Sequence, residues 1–140
     1  MPIKYNQKKV KNTTLVFDNG VFLDKYEKCH TYDCFIPGKV DKKESDFVEK
    51  GNKLKVIKTR FGNFGLGICY DIRFSDFSMA LRKKGADVLF FPSIFTLHTG
   101  KLHFQKTGIA RALDTQCHVV LSSNAIDNTD DDVSKCWGHS

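Results

Sequence analysis

The sequence is poorest in the features that mark specialised architectures. No run approaches the ~20 consecutive apolar residues that a bilayer-spanning helix requires, and the N-terminus lacks the apolar stretch of a secretory signal. No repeat or low-complexity tract occurs, and 3 prolines and 10 glycines are too few for a collagen-like or linker-like chain. The 5 cysteines are odd in number and contain no Cys-x-x-Cys pair, so they read as reduced thiols rather than as a disulfide framework. Cys29, His30 and Cys34 crowd together, but Cys136 and His139 stand far from them and no second ligand pair follows at zinc-finger spacing. No metal and no cofactor are expected, no membrane partner is expected, and the expected compartment is cytoplasmic.

What is present argues for a folded domain with a core. Apolar residues make up 41% and aromatics 12%, enough to bury one core in a chain of 140 residues. The formal charge of +6 is concentrated in Lys4, Lys8, Lys9 and Lys11 rather than spread along a stripe interleaved with stacking aromatics. That distribution does not describe a nucleic-acid surface, and no nucleic-acid partner is expected.

Thr13 to Phe17 and Val21 to Tyr26 are strand candidates joined by Asp18-Asn19-Gly20, a strong hairpin signal because Asn and Gly tolerate positive φ. Residues Thr31 to Gly51, with Pro37-Gly38 and many charges, read as an irregular excursion with a short helical turn. Leu54 to Lys58 pairs in expectation with Phe64 to Ile68 through Arg60-Phe-Gly-Asn63. From Phe74 to Gly85 helix punctuation stands at both ends: Ser75 as the cap, Phe74 and Met79 as the staple, and Gly85 just past the end. Ala86 to Phe91 is an apolar strand halted by Pro92, with both faces expected to be covered. Lys101 to Gln116 reads as a second helix from the spacing of Leu102, Ile109 and Leu113, although Gly108 costs about 1 kcal/mol of propensity. Cys117 to Leu121 is the next strand. The βαβαβ order from Phe64 to Leu121, preceded by antiparallel hairpins, predicts an α/β fold with a mixed sheet and helices packed on it.

The strand that runs into Cys69 and the strand that ends at Phe91 flank one crossover helix, so their C-terminal ends share a sheet edge, where ligands of open α/β sheets gather. Cys69 sits at a strand end beside a turn and a helix start, a placement suited to a nucleophile, and the Tyr70 N–H just beyond it could face a developing oxyanion. Lys28 ends the second strand; directed into the same pocket, its charge would favour the thiolate. Glu27 is a poor base because adjacent strand residues face opposite ways. His103, opening the second helix, competes as a Cys-His base, whereas His118 inside an apolar strand reads as a satisfied core histidine. A Cys-Lys-acid amidase and a Cys-His hydrolase both remain open on these residues.

Longer motifs add a resemblance. Tyr26-Glu-Lys-Cys-His-Thr-Tyr-Asp33, Ile36-Pro-Gly-Lys39, Gly65-Leu-Gly-Ile-Cys-Tyr-Asp-Ile-Arg-Phe74, Thr99-Gly-Lys-Leu-His-Phe104, Ala110-Arg-Ala-Leu-Asp-Thr-Gln116 and Trp137-Gly-His-Ser140 resemble the nitrilase-like carbon-nitrogen hydrolases, and among them the omega-amidases. The resemblance implies an incomplete α-β-β-α sandwich with mixed sheets, residues 1–140 being one partial domain without the N-terminal glutamate-bearing segment and the C-terminal segment. It implies Cys69 as nucleophile and Lys28 as the lysine of a Glu-Lys-Cys triad whose glutamate has no match here. Gln105 stands where the family motif carries a supporting glutamate, and substrate-binding residues are not assigned. The implied reaction is hydrolysis of the terminal amide of a 2-oxo dicarboxylic acid monoamide through a cysteine thioester, releasing ammonia. The implied partners are the small amide and further copies of the chain. The alternative is a catalytically inactive, truncated family member with a binding or structural role, and turnover by the isolated 140 residues is expected to be low.

Overall fold

The computed structural model describes residues 9–38, 40–124 and 136–140. Strands β1 (Thr13–Asp18) and β2 (Val21–Glu27) form the expected antiparallel hairpin, with Asp18 opposite Val21. The turn between them places Asn19 at φ 48° and Gly20 at φ 78°, the left-handed pair that matches strand twist in a two-residue hairpin.

The charged stretch that follows is more ordered than its composition suggests. Strands β3 (Asp33–Ile36) and β4 (Val40–Lys43) pair antiparallel, and a single 3-10 turn spans Glu44–Asp46. The helical turn was legible; the hairpin was not, because only Phe35 among Asp33, Phe35, Asp41 and Lys43 is a large apolar residue, and it is exposed. Lys39 lies outside the described residues.

The remaining strands build one mixed sheet in the order β5-β6-β7-β8, from β5 (Lys55–Thr59), β6 (Gly62–Leu66), β7 (Val88–Ser93) and β8 (His118–Ser123). β5 and β6 are antiparallel, while β6-β7 and β7-β8 are parallel, so both crossovers bring strand C-termini to one edge. β6 ends at Leu66, two residues short of the expected Ile68, although Ile68 is still extended and Gly67 N–H still donates to Phe90 O at 3.0 Å. Pro92 does not halt β7: pairing with β6 stops at Phe90, and Pro92 faces only β8, opposite Ser122. The proline therefore sits where the strand has become an edge.

Helix α1 (Ser75–Lys83) connects β6 to β7. Its N-cap is Phe74 rather than Ser75, and no side chain caps it; Ser75 is the first helical residue. Its C-terminus follows the predicted glycine stop, with Gly85 N–H donating to Arg82 O at 2.8 Å and Ala86 N–H to Leu81 O at 3.1 Å, the paired bonds of a Schellman end. Between β7 and β8 the chain forms a short α2 (Leu97–Thr99), a π turn over Gly100–Phe104 and helix α3 (Gln105–Thr115). α3 buries Gly108, Arg111 and Thr115, one stripe at helical spacing, while Leu102, Ile109 and Leu113 point outward at 43%, 61% and 67% exposure. The apolar spacing thus marked a helix but not its core face. His118 is likewise exposed, at the mouth of β8, rather than a core histidine.

The core runs from Tyr26 of β2 through Ile57, Leu66, Leu89 and Phe91 of the sheet to Phe77 and Leu81 of α1. α1 packs on β6 and α3 on β8. Leu89, Phe91 and Ser93 form the buried face of β7, whereas Val88 and Phe90 on the other face are only half-buried, so coverage is one-sided rather than two-sided. Gly67 is required by close approach: a Cβ there would lie 2.3 Å from the Phe91 ring. No described helix is long and apolar enough to cross a membrane.

Candidate active site around Cys69

The chain leaves β6 through Gly67-Ile68 and enters a 3-10 helix over Cys69–Arg73. Cys69 itself has φ 46°, a left-handed conformation that costs a non-glycine residue on the order of 1–3 kcal/mol. The turn is held by Asp71, whose N–H donates to Ile68 O at 3.0 Å and whose carboxylate accepts from Ile68 N–H at 2.9 Å. The thiol points at Ile94 O, 3.6 Å away in the segment after β7, so the sheet edge joins the two strand ends as expected. Burial pushes the Cys69 thiol up; the contact with Ile94 and the charge of Lys28 act the other way, and the charges of Glu44 and Asp71 reinforce the rise.

Lys28 follows β2 and is 3% exposed, a buried lysine rather than a solvated one. Its N–H donates to Asn12 O at 2.9 Å and its carbonyl accepts from Gly51 N–H at 2.7 Å, which fixes the backbone on both sides. Its Nζ donates to both oxygens of Glu44, at 2.9 and 2.7 Å. Glu44, from the 3-10 turn after β4, also accepts from Tyr32 N–H at 2.5 Å and Asn12 Nδ2 at 3.5 Å. Burial pushes the Glu44 carboxyl up, but the hydrogen bonds from Lys28 and Tyr32 and the lysine charge outweigh it and hold the group below its ordinary value. Glu27 faces outward as expected: it pairs with Lys11 at 2.7 Å and Lys25 at 2.9 Å, hydrogen bonds that lower it to about 2.

An aromatic wall borders the thiol. Tyr32 packs edge-on against Tyr70 at 5.1 Å and Tyr70 against Phe74 at 5.4 Å. The Arg73 guanidinium lies over the Tyr70 ring at 5.9 Å and the Phe95 ring at 5.7 Å, and it forms no salt bridge among the described residues. His103 is exposed; desolvation and, after it, the charges of Arg73 and Lys106 hold its imidazole below the ordinary value. The histidine in this neighbourhood with a carboxylate partner is His30, not His103.

Gln105 is exposed at the start of α3, and the group bound to Lys28 is Glu44. Glu44 is a residue to which sequence reasoning gave no role. Glu44 lies in a run rich in Lys, Asp and Glu, where nothing in the spacing separates a buried carboxylate from a solvated one. Asp71, Tyr26 and His30 were likewise given no role beside Cys69 and Lys28, although Asp71 stands only two residues beyond the thiol.

The family model described as "Carbon-nitrogen hydrolase" matches residues 1–140. The chain belongs to the carbon-nitrogen hydrolase family. It is 41% identical over 133 residues to hydrolase C26A3.11 of Schizosaccharomyces pombe, covering 94% of this chain and 41% of that one. It is 40% identical over 118 residues to omega-amidase NIT3 of Saccharomyces cerevisiae, covering 84% and 40%. Among solved structures, the Caenorhabditis elegans NitFhit protein superposes with a TM-score of 0.84 at 40% identity, covering 94% of this chain and 32% of that one. The chain therefore spans less than half the length of these relatives, and within that span its mixed α/β architecture is that of part of a nitrilase-like sandwich.

Proposed function

We propose that Cys69 is the nucleophile of an amidase and that Lys28 is the cation that supports it. The observation that carries this reading is a half-buried thiol on a strained turn whose Asp71 bonds Tyr26 and His30, the residues two before and two after a lysine that is 3% exposed. The Cys69 sulfur attacks the amide carbon to form a tetrahedral oxyanion; the Tyr70 N–H, in the first turn of the 3-10 helix where no intrahelical acceptor is available, and Lys28 stabilise it. Collapse breaks the carbon–nitrogen bond, ammonia leaves with the proton taken from the thiol, and water then hydrolyses the thioester to the acid and the free thiol. Glu44 is a poor proton shuttle, because Lys28, Tyr32 and Asn12 already occupy its oxygens. By the family resemblance the shuttle is a further glutamate, outside the motifs matched here. The reading of residues 1–140 as part of one larger domain is supported by the span of the matches and by exposed Leu15, Phe17 and Phe22 on the hairpin.

The substrate class proposed is an omega-amide of a short 2-oxo dicarboxylic acid, released as the dicarboxylate and ammonia. Arg73 supports it, being a cation over the Tyr70 and Phe95 rings, in the same 3-10 helix as the thiol, with no carboxylate partner among the described residues. A cytoplasmic setting with self-association is part of the same reading, the latter supported by the outward Ile109 and Leu113 of α3. Acid quenching during reaction with such an amide, followed by peptide mass spectrometry, should find the acyl group on Cys69; an adduct on any other residue overturns the assignment. Equal hydrolysis of omega-amides and their decarboxylated analogues would leave a broader amidase in place of the omega-amidase reading.

A further inference from the structure

We infer that Asp71 is the positioning residue that fixes Cys69 and Lys28 relative to each other, one buried carboxylate gripping the chain just before the thiol and on both sides of the lysine. The inference rests on the reading of Cys69 and Lys28 as one site. Asp71 is 0% exposed. Its Oδ2 accepts from Ile68 N–H at 2.9 Å and from the Tyr26 hydroxyl at 2.8 Å. Its Oδ1 accepts from His30 N–H at 2.9 Å and binds His30 Nδ1 at 2.7 Å. Tyr26 and His30 stand two residues before and two residues after Lys28, and Cys29 N–H donates to the Tyr26 oxygen at 3.1 Å. The imidazole is itself fixed, stacked on Phe74 at 3.8 Å and meeting Phe77 edge-on at 5.5 Å.

The fold gives this grip a specific task. Lys28 follows the hairpin β1-β2 and Cys69 follows β6 of the four-stranded sheet, and no backbone ladder joins those two sheets among the described residues. Strand register therefore does not set the distance from lysine to thiol. The other polar links are the Gly51 N–H bond to Lys28 O at 2.7 Å, which ties the lysine to the loop before β5 and not to the thiol segment, and the ion pairs of Lys55 with Asp24 and Arg60 with Asp18, which are at least a third exposed and weakly constraining. Electrostatics alone gives no reason for a carboxylate here. The charges that act on the Cys69 sulfur are Lys28 after β2, Glu44 after β4 and Asp71 within its own helix, and of these only Lys28 favours the thiolate. Asp71 opposes the thiolate by its charge and supports it by holding Lys28 in place.

Those two effects have opposite signs, which makes them separable in the 140-residue chain. The readout is the pH dependence of Cys69 alkylation by iodoacetamide, followed at the Cys69 peptide so that the other thiols do not contribute. Removing only a nearby negative charge would lower the midpoint in Asp71→Asn. Loss of the grip raises it, by about one unit, so that alkylation below the midpoint slows about tenfold. Hydrogen exchange at the Ile68 and His30 amides should accelerate in the same variant. Tyr26→Phe keeps the carboxylate, frees Cys29 N–H, and should raise the midpoint by a smaller amount; it decides the matter if Asp71→Asn does not fold. In a Lys28→Gln background Asp71→Asn should no longer raise the midpoint, because the lysine contribution is already gone. A midpoint that falls in Asp71→Asn, or wild-type exchange at Ile68 and His30, overturns the inference. If instead Lys28→Gln alone leaves the midpoint unchanged, the shared-site reading fails, and the amide exchange by itself decides whether Asp71 grips both segments.

Discussion

Replacing Glu44 by glutamine should destabilise the chain far more than its position in a charged, irregular stretch suggests. The carboxylate holds the Lys28 ammonium through bonds of 2.9 and 2.7 Å while the Tyr32 N–H occupies it from the backbone side. Glutamine can keep one oxygen where Lys28 and Tyr32 both donate, but its NH2 then faces the second Lys28 contact and the Asn12 amide, and the charge that neutralises the ammonium is gone. Lys28 is 3% exposed and the Glu44 side chain 15%, so water does not replace the missing contact. Breaking a buried ion pair by neutralising one partner costs about 3–5 kcal/mol, and the retained acceptor puts this variant near about 3 kcal/mol. With a urea slope of about 1–3 kcal/mol/M, the midpoint should fall by about 1 M or more. The pH dependence supplies the sign. Because the folded state holds the Glu44 carboxyl below its ordinary value of 4.5, its contribution is complete above that value and is lost as pH falls through the folded one. Glu44→Gln should therefore remove part of the acid sensitivity seen below about pH 4.5 in wild type. Urea titrations of both chains at pH 7 and in the acid limb test this. A difference below about 0.5 kcal/mol at pH 7, the range of ordinary surface changes, would refute the claim that the pair is a buried one.

Three further outcomes follow from the packing. Gly67→Ala places a methyl 2.3 Å from the Phe91 ring, which is itself 0% exposed, and should cost about 1–3 kcal/mol, read as a lower thermal midpoint. Arg111→Met removes the donors that reach Ile72 O at 2.8 Å and Arg73 O at 3.2 Å from α3; it should destabilise by about 2–3 kcal/mol and raise proteolysis at the 3-10 helix. Ile109→Lys with Leu113→Glu should reduce self-association in sedimentation velocity without lowering the thermal midpoint, because both side chains are exposed on α3.

The parts of the fold that were legible are those in which local chemistry and tertiary environment agree. Asn19-Gly20 specifies a turn by backbone preference alone, and Gly85 ends α1 for the same reason; neither depends on what packs against it. The parallel order of β6, β7 and β8 followed from crossovers that only a shared sheet satisfies, and with it the meeting of Cys69 and the segment after β7. Where tertiary context decided the outcome, the pattern misled. On α3 the buried stripe is Gly108, Arg111 and Thr115, because the helix lies close on β8 and the arginine is used to bind carbonyls of the 3-10 helix. No hydrophobicity pattern distinguishes such a face from a solvated one.

The candidate site divides along the same line. A thiol at a strand end, between glycines and a helix start, is visible in the sequence as a candidate. Its supporting carboxylates are not, because a buried Asp or Glu and a solvated one have the same local sequence, and only the partners differ. Asp71 collects Ile68 across the turn, and Tyr26 and His30 from 45 and 41 residues away. Glu44 collects Lys28 from 16 residues away and Asn12 from 32. Each carboxylate costs several kcal/mol to bury and is retained only with its donors in place. The lysine and thiol segments therefore meet through these long-range partners rather than through any continuous strand, which places the most sensitive substitutions at residues that carry no nucleophile.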